Sequence, residues 1–223
     1  EEANAELTRC AWVASHDLKS PLRGIDNVSQ WLEEDLAGVL DATSRKHLEL
    51  LRQRVHRMER LLDDMLAYAR VDREAEAAEE MVAGDRLLTE VLELVDVPRG
   101  FTVAVSPAVA AVTVPRLPLQ RILSNLLDNA VKHHHRTEGQ IDVEVEETDT
   151  AYAFRVRDDG PGIAPEHHEK IFELFQVLQP RDVRDSSGLG LALVRKVLRQ
   201  YGTDITVESE PGRGATFRFV WPK

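Results

Sequence analysis

Two runs of apolar residues, each stepping alternately by three and four, constrain this chain more than any other feature. Leu7, Ala11, Ala14, Leu18, Leu22, Ile25 and Leu32 mark one face of a long helix. Leu48, Leu51, Val55, Met58, Leu62, Met65 and Ala69 mark a second. Between them, the glycine of Leu36-Ala37-Gly38-Val39-Leu40 breaks the first helix, and Asp41-Ala42-Thr43-Ser44 offers an N-cap for the next. Two helices with one stripe each make a hairpin that cannot bury both faces alone. The expected solution is a homodimer closed into a four-helix bundle, in which each fully buried Leu, Met or Val contributes about 1.5–3 kcal/mol. The competing solution is packing of the hairpin on whatever follows it.

Composition narrows the setting. A net charge of -11 lacks the basic face that nucleic-acid binding needs. The single cysteine, Cys10, forbids an internal disulfide and suits a reducing compartment, so a cytoplasmic location is expected. No apolar run is long enough for a membrane helix, and no signal peptide is visible, so no membrane contact is expected from this segment. The chain opens inside a helical pattern at Glu1-Glu2-Ala3-Asn4, which reads as a fragment whose upstream portion is missing.

Within the first helix, Ala14-Ser15-His16-Asp17-Leu18-Lys19-Ser20-Pro21-Leu22 stands out. With Ala11 as heptad position a, His16 falls at f, furthest from the seam. An exposed neutral imidazole is a competent nucleophile, and Asp17 is placed to accept its other N–H. Pro21 removes the helical hydrogen bond to the Asp17 carbonyl and predicts a local bend.

Arg73-Glu74-Ala75-Glu76-Ala77-Ala78-Glu79-Glu80 carries no stripe and is strongly acidic. It reads as a linker, which divides the chain into a hairpin at 1–74, a linker at 75–82 and a second domain at 83–223. In the second domain the pattern predicts a short helix around 87–95, a strand at 101–105 and a helix opened by Pro115 or Pro118. Strands follow at 141–145 and 152–157, then a helix over 191–200 and closing strands at 204–208 and 215–220. This order predicts an α/β sandwich, one mainly antiparallel sheet with its helices on a single face.

Three stretches of that domain carry chemistry. On the helix beginning near Leu119, Asn125, Asn129, Lys132 and His133 recur at steps of four, three and one and project together. An amide oxygen can join a magnesium shell that keeps most of its waters, and a lysine can neutralise phosphate; the competing reading is a merely polar face. In Arg157-Asp158-Asp159-Gly160-Pro161-Gly162-Ile163 a carboxylate ends a strand and glycines follow, so a planar base can approach the backbone. Asp158 can accept a hydrogen bond from an exocyclic amine such as adenine's; a plain turn is the alternative. Ser186-Ser187-Gly188-Leu189-Gly190-Leu191 leads directly into a helix and presents N–H groups to phosphate oxygens. The segment 164–185 between the two glycine clusters, with Phe172 and Phe175, reads as a lid over bound ligand. The chain has no P-loop signature, and neither the His-Arg-Asp nor the Asp-Phe-Gly motif of Ser/Thr/Tyr kinases.

In this order the motifs resemble those of the catalytic core of bacterial sensor histidine kinases, over essentially the whole chain. His16-Asp17-Leu18-Lys19-Ser20-Pro21-Leu22 resembles the H box, Asn125 to Lys132 the N box and Asp158 to Ile163 the first glycine box. Phe172 to Phe175 resembles the F box, Gly188 to Leu191 the second glycine box, and Gly212-Arg213-Gly214-Ala215-Thr216-Phe217 the final glycine motif. The resemblance implies an α+β chain: a dimerising phosphotransfer hairpin, then an ATP-binding domain of the gyrase/chaperone/histidine-kinase/MutL superfamily. It implies ATP and Mg as cofactors, His16 as the phosphorylated nucleophile, Asp17 as general base, and Ser20 where a water-orienting side chain stands. It also implies Asn129 as magnesium ligand and Asn125, Lys132 and His133 beside the phosphates. Asp158, Gly160, Gly162, Ile163 and Thr216 surround the base, and Phe175, Ser187, Gly188, Leu189, Gly190 and Leu191 surround the phosphate tail. Implied partners are a second copy of the chain, a response regulator receiver domain and a sensory module upstream. Lys132 to His135 and Leu174 to Asp182 resemble the subgroup joined to PAS-type or phytochrome-like sensors. Two positions depart from the pattern. Ser186 stands where the second glycine box usually opens with glycine, and Asp159 stands where Asn is frequent, which adds a negative charge beside the base. The alternatives are a degenerate kinase serving as a nucleotide-binding scaffold and a conformational ATPase of the same superfamily.

Overall fold

The computed structural model describes the backbone of residues 2–74, 80–176 and 187–223, and the side chains of residues 17–71, 80–176 and 187–223. The chain divides into two compact units, Glu1–Arg70 and Val71–Lys223.

The first unit is the expected hairpin. Helix α1 spans Glu2–Asp35 and continues through Pro21 without a break in helical assignment. Helix α2 spans Ala42–Glu74. Its N-cap is Asp41, whose carboxylate accepts the Ser44 N–H at 2.6 Å and is thereby held below its usual pKa. The stripes divide where the sequence pattern does not. Leu22 and Ser29 of α1 and Val55 of α2 are buried, and Leu48 and Leu62 are half-buried, one heptad to either side of Val55. Leu18, Ile25, Val28 and Leu32, with Leu51, Met58 and Met65, remain exposed. The hairpin therefore uses one edge of each stripe internally and leaves the other edge bare. Arg52 to Glu33 at 2.6 Å and Lys19 to Asp63 tie the helices across their polar flanks.

The second unit is a helix-covered sheet. Strand β1 (Met81–Ala83) precedes α3 (Gly84–Leu94), β2 (Phe101–Val105), α4 (Ala108–Ala111), β3 (Thr113–Pro115) and α5 (Arg116–Lys132). Then come β4 (Gly139–Glu147), β5 (Ala151–Asp158), short 3₁₀ turns at Pro165–His167 and Lys170–Phe172, α6 (Gly190–Gln200), β6 (Ile205–Ser209) and β7 (Ala215–Pro222). The main sheet has the order β2-β4-β5-β7-β6, with β2 parallel to β4 and the remaining pairs antiparallel. Ile141 and Val143 of β4, Phe154 and Val156 of β5 and Phe217, Phe219 and Trp221 of β7 alternate onto one buried face. Helices α5 and α6 cover that face with Leu119, Ile122, Leu123, Leu126 and Leu127 and with Val194 and Leu198. Strand β1 pairs with β3 in a separate two-stranded sheet, so Met81 and Val82, expected at the end of the linker, are already paired. Residues 75–79 of that linker lie outside the described residues.

Candidate active site

His16, Asp17 and Ser20 lie together on α1. The outward direction expected for the His16 ring falls outside the described side chains; Asp17 and Ser20 are exposed.

The other site residues gather where α5, the end of β5 and the start of α6 meet. Asn125, Asn129 and His133 follow one another along a half-exposed strip of α5, at four-residue steps. Asn125 donates its amide N–H to the Arg121 carbonyl at 2.7 Å, which turns Oδ1 towards α6. A Cβ on Gly190, the first residue of α6, would stand 2.7 Å from that oxygen. The N-box helix and the second glycine box thus meet at a contact that only glycine permits. Lys132, seven residues beyond Asn125 on the same helix, is exposed and paired with Asp128 at 2.6 Å.

Asp158 ends β5 on the buried face, with only 9% of its surface exposed. Burial pushes its carboxyl pKa up, against the stabilising backbone N–H groups of Gly160 and Ala215 and the nearby His134 ring. Its Oδ1 accepts the Gly160 N–H at 2.9 Å. A Cβ on Gly160 would meet that oxygen at 2.6 Å, so the glycine keeps the carboxylate face open. The loop is locked to the β6–β7 turn. Gly212 N–H donates to the Pro161 carbonyl at 2.7 Å, and Ile163 N–H donates to Ser209 Oγ at 2.8 Å. Ser209 Oγ in turn donates to the Gly214 carbonyl at 2.6 Å. Gly162 and Gly214 both have positive φ, and a Cβ on either would lie 2.0 Å from a backbone carbonyl oxygen, of Glu210 and Asp158 respectively.

In the second glycine box, Gly188 (φ +70°) packs against the backbone of Phe175 and Gln176, and its carbonyl accepts the Phe175 N–H at 2.9 Å. Phe175 itself holds a φ of 63° and is exposed, whereas Phe172 is buried edge-on to Phe217. Phe172 therefore anchors the segment to the sheet instead of riding on a lid. Residues 177–186, including Ser186, lie outside the described residues. Leu189 is buried, and its N–H is taken by Ser187 Oγ at 3.2 Å, so its side chain serves the core. Leu191 is half-buried on α6.

One expectation needs correction. Strand alternation puts Thr216 on the face opposite Ala215, where it pairs with Arg157 and Glu208. The residue beside Asp158 is Ala215, because the β5–β7 register pairs those two.

The second departure, Asp159, turns out to be compensated. Arg136 binds its Oδ2 at 2.6 Å and its carbonyl at 3.2 Å, His134 Nε2 lies 3.1 Å from Oδ1, and the Gln140 N–H reaches Oδ1 at 2.7 Å. Burial opposes ionisation, but these partners outweigh it and hold the carboxyl below its usual pKa. Sequence reasoning missed Arg136 and Ser209 and noted His134 only as part of the run Lys132 to His135, without a role at the site. Local pattern does not reveal these roles, since each acts on a residue more than four positions away.

The donor set fits an adenine nucleotide with magnesium. A buried carboxylate sits under a glycine whose Cβ would fill the approach, and amide oxygens line α5. Among the described residues no three His, Cys, Asp or Glu side chains form a metal-holding group. Among them, too, no helix is long and apolar enough to cross a membrane.

These features define a class of ATPase fold, and comparison with known proteins agrees. Residues 115–223 match the histidine kinase-, DNA gyrase B- and HSP90-like ATPase family. Residues 7–74 match the His Kinase A (phospho-acceptor) domain. The chain belongs to the sensor histidine kinases and carries both parts of their catalytic core in order. It is 36% identical over 231 residues to cyanobacterial phytochrome A of Nostoc sp., covering 100% of this chain and 29% of that protein. It is 32% identical over 227 residues to the phytochrome-like protein Cph1 of Synechocystis sp., covering 100% of this chain and 30% of that one. The chain thus spans under a third of the length of these relatives, whose names fit the phytochrome-like subgroup. The crystal structure of full-length ShkA in complex with AMPPNP matches with a TM-score of 0.70 and 30% identity, over 96% of this chain and 45% of that one.

Proposed function

We propose that this chain uses ATP to phosphorylate His16 and passes the phosphoryl group to an aspartate of a separate response regulator. The observation that carries the reading is the pairing, in one chain, of an H-box histidine on α1 with a buried Asp158 and a glycine-permitted contact between Asn125 and Gly190. The AMPPNP bound by ShkA supports ATP as the nucleotide.

In this reading Asp158 accepts a hydrogen bond from the adenine amine, with Gly160, Gly162 and Ile163 shaping the approach. Asn125, Lys132 and His133 serve the phosphates, with Phe175, Ser187 and Gly188 to Leu191 at the phosphate tail; Lys132 must first leave Asp128. Magnesium, held by the Asn129 amide oxygen, would supply charge neutralisation on the phosphates. A free imidazole nitrogen of His16 forms the P–N bond as the bond to the β–γ bridging oxygen breaks. The proton on the other ring nitrogen passes to Asp17, and ADP leaves. Ser20 is assigned the orientation of a water for dephosphorylating the regulator, and the site is assigned to the cytoplasm, where ATP is supplied.

The exposed edge Leu18, Ile25, Val28 and Leu32 with Leu51, Met58 and Met65 supports a homodimer closed into a four-helix bundle. The domain division we propose is 1–74, 75–82 and 83–223, with a sensory module upstream.

Incubation with γ-labelled ATP tests the reading. An acid-labile, base-stable label should form on the wild type and vanish in His16→Gln, which still binds nucleotide. Label retained on that variant refutes the assignment. Nucleotide binding with no label on the wild type supports the alternative, a degenerate kinase acting as a dimeric scaffold.

A further inference from the structure

His134 lies two residues past the end of α5, after the C-cap His133, and its side chain is 1% exposed although imidazole is a polar ring. It stands edge-on to Phe101, with centroids 5.1 Å apart, and is stacked on His135 at 5.0 Å. The ring touches both halves of the adenine loop. Nε2 lies 3.1 Å from Asp159 Oδ1, and a Cβ on Gly160 would meet its Cδ2 at 3.3 Å and the Asp158 Oδ1 at 2.6 Å. Nδ1 lies 3.2 Å from both the backbone nitrogen and the carbonyl oxygen of Arg136. Nε2 faces a carboxylate oxygen, which can only accept, so the ring carries a proton on Nε2 and donates it to Asp159. Gly139 also belongs to the arrangement, since a Cβ there would come within 2.9 Å of His134 Nε2.

We propose that His134 is a positioning residue for nucleotide binding: by donating to Asp159 it fixes the Asp158–Gly160 backbone and, with Arg136, offsets the extra carboxylate beside Asp158. Two adjacent carboxylates, one meant to receive the base and one not, differ here in their partners. Asp159 is saturated by His134, Arg136 and Gln140, which leaves Asp158 as the anion available to the ligand. Removing the His134 donor leaves Asp159 to Arg136 and Gln140 alone, with one carboxylate contact fewer, and loosens the turn that presents Asp158. The inference rests on the adenine role assigned to Asp158.

The test is a double-mutant cycle on the whole chain, read as ATP KM and kcat for autophosphorylation and as ATP affinity by calorimetry. His134→Leu, which keeps apolar bulk against Phe101, should raise KM and Kd for ATP about tenfold while kcat changes less than about twofold. His134→Gln, whose amide still donates to Asp159, should restore most of the affinity. In an Asp159→Asn background, His134→Leu should cost less than about twofold, because the charge that it restrains is gone. An unchanged Kd in His134→Leu, or an equal loss in both backgrounds, overturns the proposal. So does a fall in kcat at unchanged KM. If His134→Leu does not fold, His134→Ala takes its place in both backgrounds under the same criteria. Asp158→Asn separates the two layers: normal ATP affinity in that variant removes the adenine reading itself, whereas lost affinity there with a neutral His134→Leu removes only this inference.

Discussion

Gly190→Ala puts the meeting of α5 and α6 to the test. Gly190 opens α6 with no positive φ, so alanine is compatible with the backbone there. By helix propensity alone the change favours the folded state by up to about 1 kcal/mol. The new Cβ would stand 2.7 Å from Asn125 Oδ1, about 0.7 Å inside ordinary contact. The atom in the way is the end of a side chain, so the clash is relieved when the Asn125 amide turns and gives up its 2.7 Å hydrogen bond to the Arg121 carbonyl. That loss costs about 1 kcal/mol, which nearly cancels the propensity gain. The melting temperature should therefore stay within about 3 °C, since 1 kcal/mol moves a domain of this size by about 2–4 °C. ATP affinity should fall about tenfold, because the amide we propose for the phosphates has been turned away. Thermal melting and calorimetric titration with Mg-ATP read the two quantities on one sample. Unchanged affinity at unchanged stability would show that Asn125 faces no ligand. A melting temperature lower by ten degrees would show that the contact is packing alone.

Two further outcomes follow from burial. Because the folded Asp158 pKa is raised, its protonation begins above the usual 3.8 as pH falls. The proton relieves burial of a charge and so favours the fold, but it removes the acceptor we propose for the adenine amine; ATP affinity should fall with acidification before Asp159, whose pKa is lowered, titrates. An affinity that stays flat until Asp159 itself titrates refutes this. In the hairpin, Met58→Glu should give a monomer by sedimentation with helicity retained, whereas Val55→Glu should unfold the hairpin, because Val55 is 1% exposed and Met58 43%. Equal behaviour of the two variants would remove the distinction between inner and outer edges.

Local pattern alone determined the longer elements and their order. The α2 stripe, the strand at Phe101–Val105 and the glycine-to-helix junction at Gly190 are legible because helix and strand periods, and the need for a bare backbone, act within a few residues. Strands β1 and β3 were not, since three residues are too few to show an alternation. Tertiary structure decided everything that depends on which residues meet. Packing of α2 on α1 turns Val55 inward and leaves Met58 outward, although both belong to one stripe. The register of β7 on β5 sets Ala215, not Thr216, beside Asp158. The charge of Asp159, an apparent defect in the motif, is answered by Arg136 from 23 positions away. Periodicity is a property of neighbours along the chain, while a charge or a face is assigned only when the sheet closes and distant segments come within hydrogen-bonding distance.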